Sequence, residues 1–172
     1  MEVVATIRFT TPCLGNIRGD GPNRMLRNAE GKVILLQTWW RSGLGFAAQA
    51  LCRYQKEVSE VQTDPVVDGE LSVYRRYWAP DKYTEHEAFD AGSELRVRFM
   101  LPRKMDVKGF QELLEMSGRY VGISPHGYRQ DFGRFSVVSV DVTKARRARA
   151  RGRRKEQQGP DTEVRIPHPG HP

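Results

Sequence analysis

The residues best suited to chemistry in this chain lie in a glycine-containing run, GISPHGYRQDFGRF, at positions 122–135. Glycines let backbone amides approach a phosphate closely. Gly127 and Gly133 are placed for that, Arg129 and Arg134 supply charge, and Tyr128 or Phe132 offers a ring for base stacking. The competing reading is a long turn into an edge strand, with Phe132 and Phe135 in the core and the arginines in solvent. A second run, Tyr74–Trp78, interleaves aromatic and cationic side chains. On a strand, Tyr74, Arg76 and Trp78 share one face and Arg75 and Tyr77 the other. An arginine between two rings on an open sheet suits a single-strand platform, though it also suits cross-strand cover of an apolar sheet. Arg96 and Arg98 alternate with Leu95, Val97 and Phe99 and are expected to extend the same surface. Arg18, Arg24 and Arg27 lie in a loop able to clamp a backbone. The Arg18–Asp20 tripeptide there is read as a chance match to an adhesion motif.

Catalytic patterns are sparse. The histidines are His86, His126, His168 and His171, and no phosphate-binding Walker loop or GxSxG elbow is present. Glu85-His86-Glu87 lacks the i,i+4 histidine pair of a zinc-protease helix. Cys13 and Cys52 form no CxxC, which argues against a structural zinc site and a disulfide scaffold. His126, near Ser124 and Tyr128, is the one candidate general base. No catalytic residue, metal or cofactor is expected.

The formal net charge of +7 is uneven. Residues 144–155, KARRARARGRRK, hold eight of the 28 basic residues and no acid, so 20 basic residues elsewhere face 21 acidic ones. Arg146, Arg147, Arg149, Arg151, Arg153 and Arg154 are therefore expected to bind polyanions by counterion release, with little sequence preference. A solubilising or localisation tail is the alternative. Residues 144–172 lack apolar periodicity and are expected to be disordered. Mean hydropathy is −0.62, and no apolar run approaches a membrane span. No signal peptide is evident, so a cytoplasmic, reducing location without membrane contact is expected.

The elements that must position these residues follow from periodicity. Val3–Phe9 alternates as a strand, then comes a Gly-, Asn- and Pro-rich loop and a hairpin around Glu30-Gly31. Thr38 or Ser42 is expected to cap a helix running to about Tyr54, with Gly43 and Gly45 marking close packing or a loose start. Residues 57–63 and 70–78 read as strands, 79–92 as a loop and Glu94–Leu101 as a strand. Asp106 caps a second helix that Gly118 stops. Residues 134–142 close the body as a strand. The order β-α-β-β-α-β is the split βαβ pattern. The expected fold is α+β: a ferredoxin-like (RRM-like) domain over 1–143, with an insertion after its first strand.

Two segments carry a family resemblance. Residues 28–51, NAEGKVILLQTWWRSGLGFAAQAL, and the run after the second helix resemble the RAMP superfamily of CRISPR effector-backbone proteins. That family carries a glycine-rich loop between its last helix and last strand, often ending Gly-aromatic-Gly-Arg, and Asp131-Phe132-Gly133-Arg134-Phe135 resembles this ending. Gln37–Leu44 departs from the family's usual entry to the first helix, lacking its proline and serine pair. The resemblance implies single-stranded nucleic acid, RNA foremost, as ligand, with self-assembly or ribonucleoprotein partners. Two other functions are kept open. One is an assembly component of a phage or mobile-element particle with a basic tether. The other is a metal-independent endoribonuclease using His126.

Overall fold

A computed structural model describes residues 1–18, 20–123 and 131–143. Strict alternation makes β1 (Glu2–Phe9) a half-buried strand: Val3, Ala5, Ile7 and Phe9 face inward, and Glu2, Val4, Thr6 and Arg8 face the other way. After β2 (Cys13–Leu14), an insertion folds around a tight turn at Asn28–Lys32, where the Asn28 side chain accepts from the Glu30 and Lys32 amides. Helix α1 spans Gln37–Ala50 and α2 spans Val107–Tyr120. Between them lie a 3-10 turn at Glu57–Glu60, β3 (Gln62–Thr63), β4 (Ser72–Ala79), β5 (Lys82–Phe89) and β6 (Glu94–Met100). Strand β7 (Phe135–Val142) follows α2.

The strands form two antiparallel sheets, one ordered β3-β6-β1-β7 and one ordered β2-β5-β4. Among the described residues the architecture is a mixed α/β fold with two α-helices. The helices cover one face of the four-stranded sheet. Trp40 meets Phe99 edge-on at 5.1 Å and Phe135 at 5.9 Å, while Phe99 lies 5.0 Å from Phe110. Trp40 is core and Trp39 packs at its margin. Gly43 lets the helices cross closely, since a Cβ there would stand 2.1 Å from Ser117 Oγ and force that side chain to turn away; Gly45 faces open space. Phe9 stacks on Phe89 at 5.9 Å and joins the two sheets.

Several expectations need correction. Residues 82–89 form a strand, and β4 pairs with it rather than with the main sheet. The stretch 57–63 is a 3-10 turn followed by a two-residue strand, with Val58 and Val61 buried. Helix α1 starts after Leu36 without a side-chain cap and ends at Ala50. Gly118 lies inside α2, where Phe135 packs against it too closely for a Cβ. The Asp106 cap is as expected, its carboxylate accepting from the Gly109 amide at 2.7 Å.

Candidate nucleic-acid interface

The β4–β5 hairpin presents two unlike faces. Its register sets Tyr74 opposite His86 and Arg76 opposite Thr84 on one side, and Arg75 opposite Glu85 and Tyr77 opposite Tyr83 on the other. On the first face, Tyr74 meets Phe132 edge-on at 6.1 Å, and the Arg76 guanidinium lies over the Phe132 ring at 5.5 Å. Three residues chosen from two segments far apart in sequence therefore converge. All three are half-buried, so the cluster joins the hairpin to the glycine-rich loop.

The second face is more open. Tyr77 and Tyr83 approach at 5.3 Å, and the Arg75 guanidinium lies 4.9 Å over Tyr83 while its Nε donates to Glu85 at 3.0 Å. That hydrogen bond, with the nearby tyrosines and carboxylate, holds the Arg75 pKa above its ordinary value. A register irregularity after Tyr77 releases Trp78 from the ladder. Trp78 is 65% exposed, with Lys82 Nζ 5.4 Å over its ring.

The base of the loop is clamped by the chain just after β1. The Gly133 amide donates to Pro12 O and the Ile123 amide to Gly133 O, each at 2.8 Å. The Arg134 amide donates to Thr11 Oγ1 at 2.9 Å, and the Cys13 thiol to Ile123 O at 3.0 Å. Gly133 sits at φ +71°, and a Cβ would fall 1.9 Å from Ile123 O. Its glycine thus serves a close backbone approach. Arg134 is largely covered: it donates to Asp131 at 2.9 Å and to the Arg119 carbonyl near the end of α2 at 3.0 Å. Burial pushes the Cys13 thiol up to about 12, which removes it as a nucleophile near neutral pH.

Arg96 and Arg98 stand elsewhere, on the open face of the four-stranded sheet, because β6 pairs with β1 and β3. They line a groove of about 600 Å3 with Val4, Thr6, Asp64 and Asp68. Arg98 pairs with Glu2 at 3.4 Å. The arginines therefore do not extend the hairpin surface. Gly127, Arg129 and His126 lie outside the described residues, as do Arg146, Arg147, Arg149, Arg151, Arg153 and Arg154 and the expected tail at 144–172.

Buried His86 is tied to Gly15 O at 2.7 Å and to Thr84 Oγ1 at 2.9 Å. It holds the insertion against the hairpin. Strand alternation turns Glu85 and Glu87 away from it, and Glu87 binds Arg27 at 3.0 Å. No cluster among the described residues has the three ligand-type side chains needed to hold a metal. Sequence reasoning missed Tyr83 and Lys82, whose period-2 alternation was masked by charged neighbours, and the Thr11–Cys13 clamp, which no local pattern reveals.

No family model matches the sequence, and no curated protein matches it. Solved structures do share its fold. A chain in the cryo-EM structure of the Type III-B Cmr-beta bound to cognate target RNA superposes with a TM-score of 0.55 at 11% identity, over 83% of this chain and 60% of that one. A chain in a Type IV-B CRISPR complex gives a TM-score of 0.54 at 11% identity, over 85% of this chain and 92% of that one. The present chain thus spans 60% of the length of the first.

Proposed function

We propose that this chain is a RAMP-type subunit of a CRISPR-like ribonucleoprotein and that it binds single-stranded RNA. Residues 1–143 are the ferredoxin-like domain and the β4–β5 hairpin with the glycine-rich loop is the reading surface. The strand order β7-β1-β6-β3, with a helix after β1 and another after β6, supports the split βαβ reading. The observation that carries the functional reading is the convergence of Tyr74 and Arg76 with Phe132 at the mouth of the loop. Trp78 supplies an exposed ring on the same hairpin, and Gly127 and Arg129 are assigned a close backbone approach and a phosphate contact. Arg134 acts by positioning, since its guanidinium holds the neck to α2. The arginines of 144–155 add affinity without sequence preference.

Titration of the full chain with labelled single-stranded RNA, single-stranded DNA and duplex DNA at several salt concentrations tests this. Preference for single strands that falls with Trp78→Ala supports it; equal affinity for all three ligands, unchanged by that substitution, rejects it. A second reading, assembly with a protein partner, is favoured by the exposed Val73, Tyr77, Trp78 and Tyr83 on one hairpin. It predicts an oligomer that Trp78→Ala dissociates without RNA. A ribonuclease reading predicts cleavage lost in His126→Ala.

A further inference from the structure

The open face of the four-stranded sheet is poorly suited to phosphate. It carries the carboxylates Glu2, Asp64, Asp68, Glu94 and Asp141 against the guanidiniums of Arg8, Arg96 and Arg98. Arg8 is held by Glu94 and Arg98 by Glu2. Asp64, Asp68 and Asp141 form no ion pair among the described residues, and Arg96 shares the groove with Asp64 and Asp68. No aromatic side chain lies on this face in β1 or β6 for a base to stack on.

The same face lies where the basic segment begins. Across the sheet, Asp141 stands opposite Val4, Val4 opposite Arg98, and the Asp64 amide donates to Arg98 O at 3.0 Å. Asp64, Asp141 and Arg98 thus sit near one end of the sheet, and that end is where the chain leaves: the Thr143 amide donates to Glu2 O at 3.0 Å. Arg146 follows three residues later. Four strands are about 15 Å across. Twelve extended residues reach up to roughly 40 Å. In an extended chain, Arg147, Arg149 and Arg151 fall on one side, with Ala148 and Ala150 on the other.

We propose that residues 144–155 fold back across this open sheet face, their arginines on Asp64, Asp68 and Asp141, when no nucleic acid is bound. The docked segment neutralises an acidic surface and shields its own cations. An RNA strand that recruits the segment must then displace it, which lowers nonspecific capture. The displacement rests on the RNA-binding reading; the docking does not.

The test uses the full chain carrying Cys52→Ser and Ala150→Cys, with a nitroxide on the new thiol; buried Cys13 stays unlabelled. At low salt the amide signals of Val4, Arg96 and Arg98 lose most of their intensity to paramagnetic broadening. They recover in about 0.5 M NaCl, where exposed charges are screened. Combining Asp64→Asn, Asp68→Asn and Asp141→Asn, all at the surface, restores them at low salt. Sharp signals at low salt in the labelled protein, or broadening unchanged by the triple substitution, overturn the docking. Adding a single-stranded oligouridylate sharpens the signals; oligouridylate that binds while broadening persists overturns the displacement. Oligouridylate that fails to bind at all counts against the RNA reading and leaves the docking in place.

Discussion

Gly133→Ala tests whether the neck of the glycine-rich loop is as constrained as its geometry requires. Two costs combine. A left-handed backbone costs a non-glycine residue about 1–2 kcal/mol. The added Cβ would also fall 1.9 Å from Ile123 O, against a backbone atom that no rotamer change can move. Relieving that overlap costs about 1–3 kcal/mol, as for an overpacked core. It also strains the Ile123–Gly133 hydrogen bond at 2.8 Å. The expected loss is about 2–5 kcal/mol, read as a shifted urea midpoint with an unchanged slope. Gly45→Ala is the matched control: it lies in α1 with nothing within 4 Å of its Cβ, so it gains about 1 kcal/mol from helix propensity. If Gly133→Ala unfolds within about 0.5 kcal/mol of the parent, the range of ordinary surface substitutions, the close approach at the neck is refuted.

Other outcomes follow from single contacts. Trp78→Ala weakens single-strand binding by about 1–3 kcal/mol while leaving the thermal midpoint nearly unchanged, because the ring is largely exposed; a midpoint drop with unaltered binding reverses that assignment. The Tyr54 hydroxyl and the Gly109 amide hold the Asp106 carboxyl below its ordinary value. Its contribution to stability is therefore complete above the ordinary carboxylate pKa and is lost as pH falls through the lowered one. Asp106→Asn flattens this acid limb in pH-dependent denaturation, and an unaltered limb removes the carboxylate from the account. Iodoacetamide at pH 8 adds one label to the native protein, at exposed Cys52, and a second only after unfolding, because Cys13 is buried and its thiol stays protonated; peptide mass mapping reads both.

Much of the fold was legible because burial imposes a period. The alternation of Val3, Ala5, Ile7 and Phe9 marked β1, and Asp106 ahead of an amphipathic run marked α2. Strand β5 was hidden because its outward positions, Tyr83, Glu85 and Glu87, belong to an amphipathic hairpin face rather than a core face. Missing it also misplaced β4, since a strand's own residues do not say which neighbour it pairs with. For the same reason the alternation of Arg96 and Arg98 does not say that they face away from the hairpin, on the four-stranded sheet. In the sequence Tyr74, Arg76 and Phe132 are three separate candidates; the clamp beside Phe132 is made by Thr11, 123 positions before Arg134, and no local pattern reveals it. The start of α1 is not legible in the sequence, because Leu36 enters the helix with no side-chain cap to signal it.

The position of β1 has a consequence for biosynthesis. Its partners β6 and β7 lie about 90 and 130 residues downstream, and the neck hydrogen bonds join Thr11, Pro12 and Cys13 to positions 123–134. Contacts so distant in sequence slow folding, because chain closure must precede any stabilising contact. During synthesis β1 has neither sheet partner until β6 has emerged, and the loop base cannot be fastened until Arg134 has followed. The hairpin of Tyr74 and Trp78 leaves the ribosome well before the segment that orients its inner face. A chain stalled before position 133 therefore exposes an aromatic hairpin without its anchor, a ready target for chaperones and proteases.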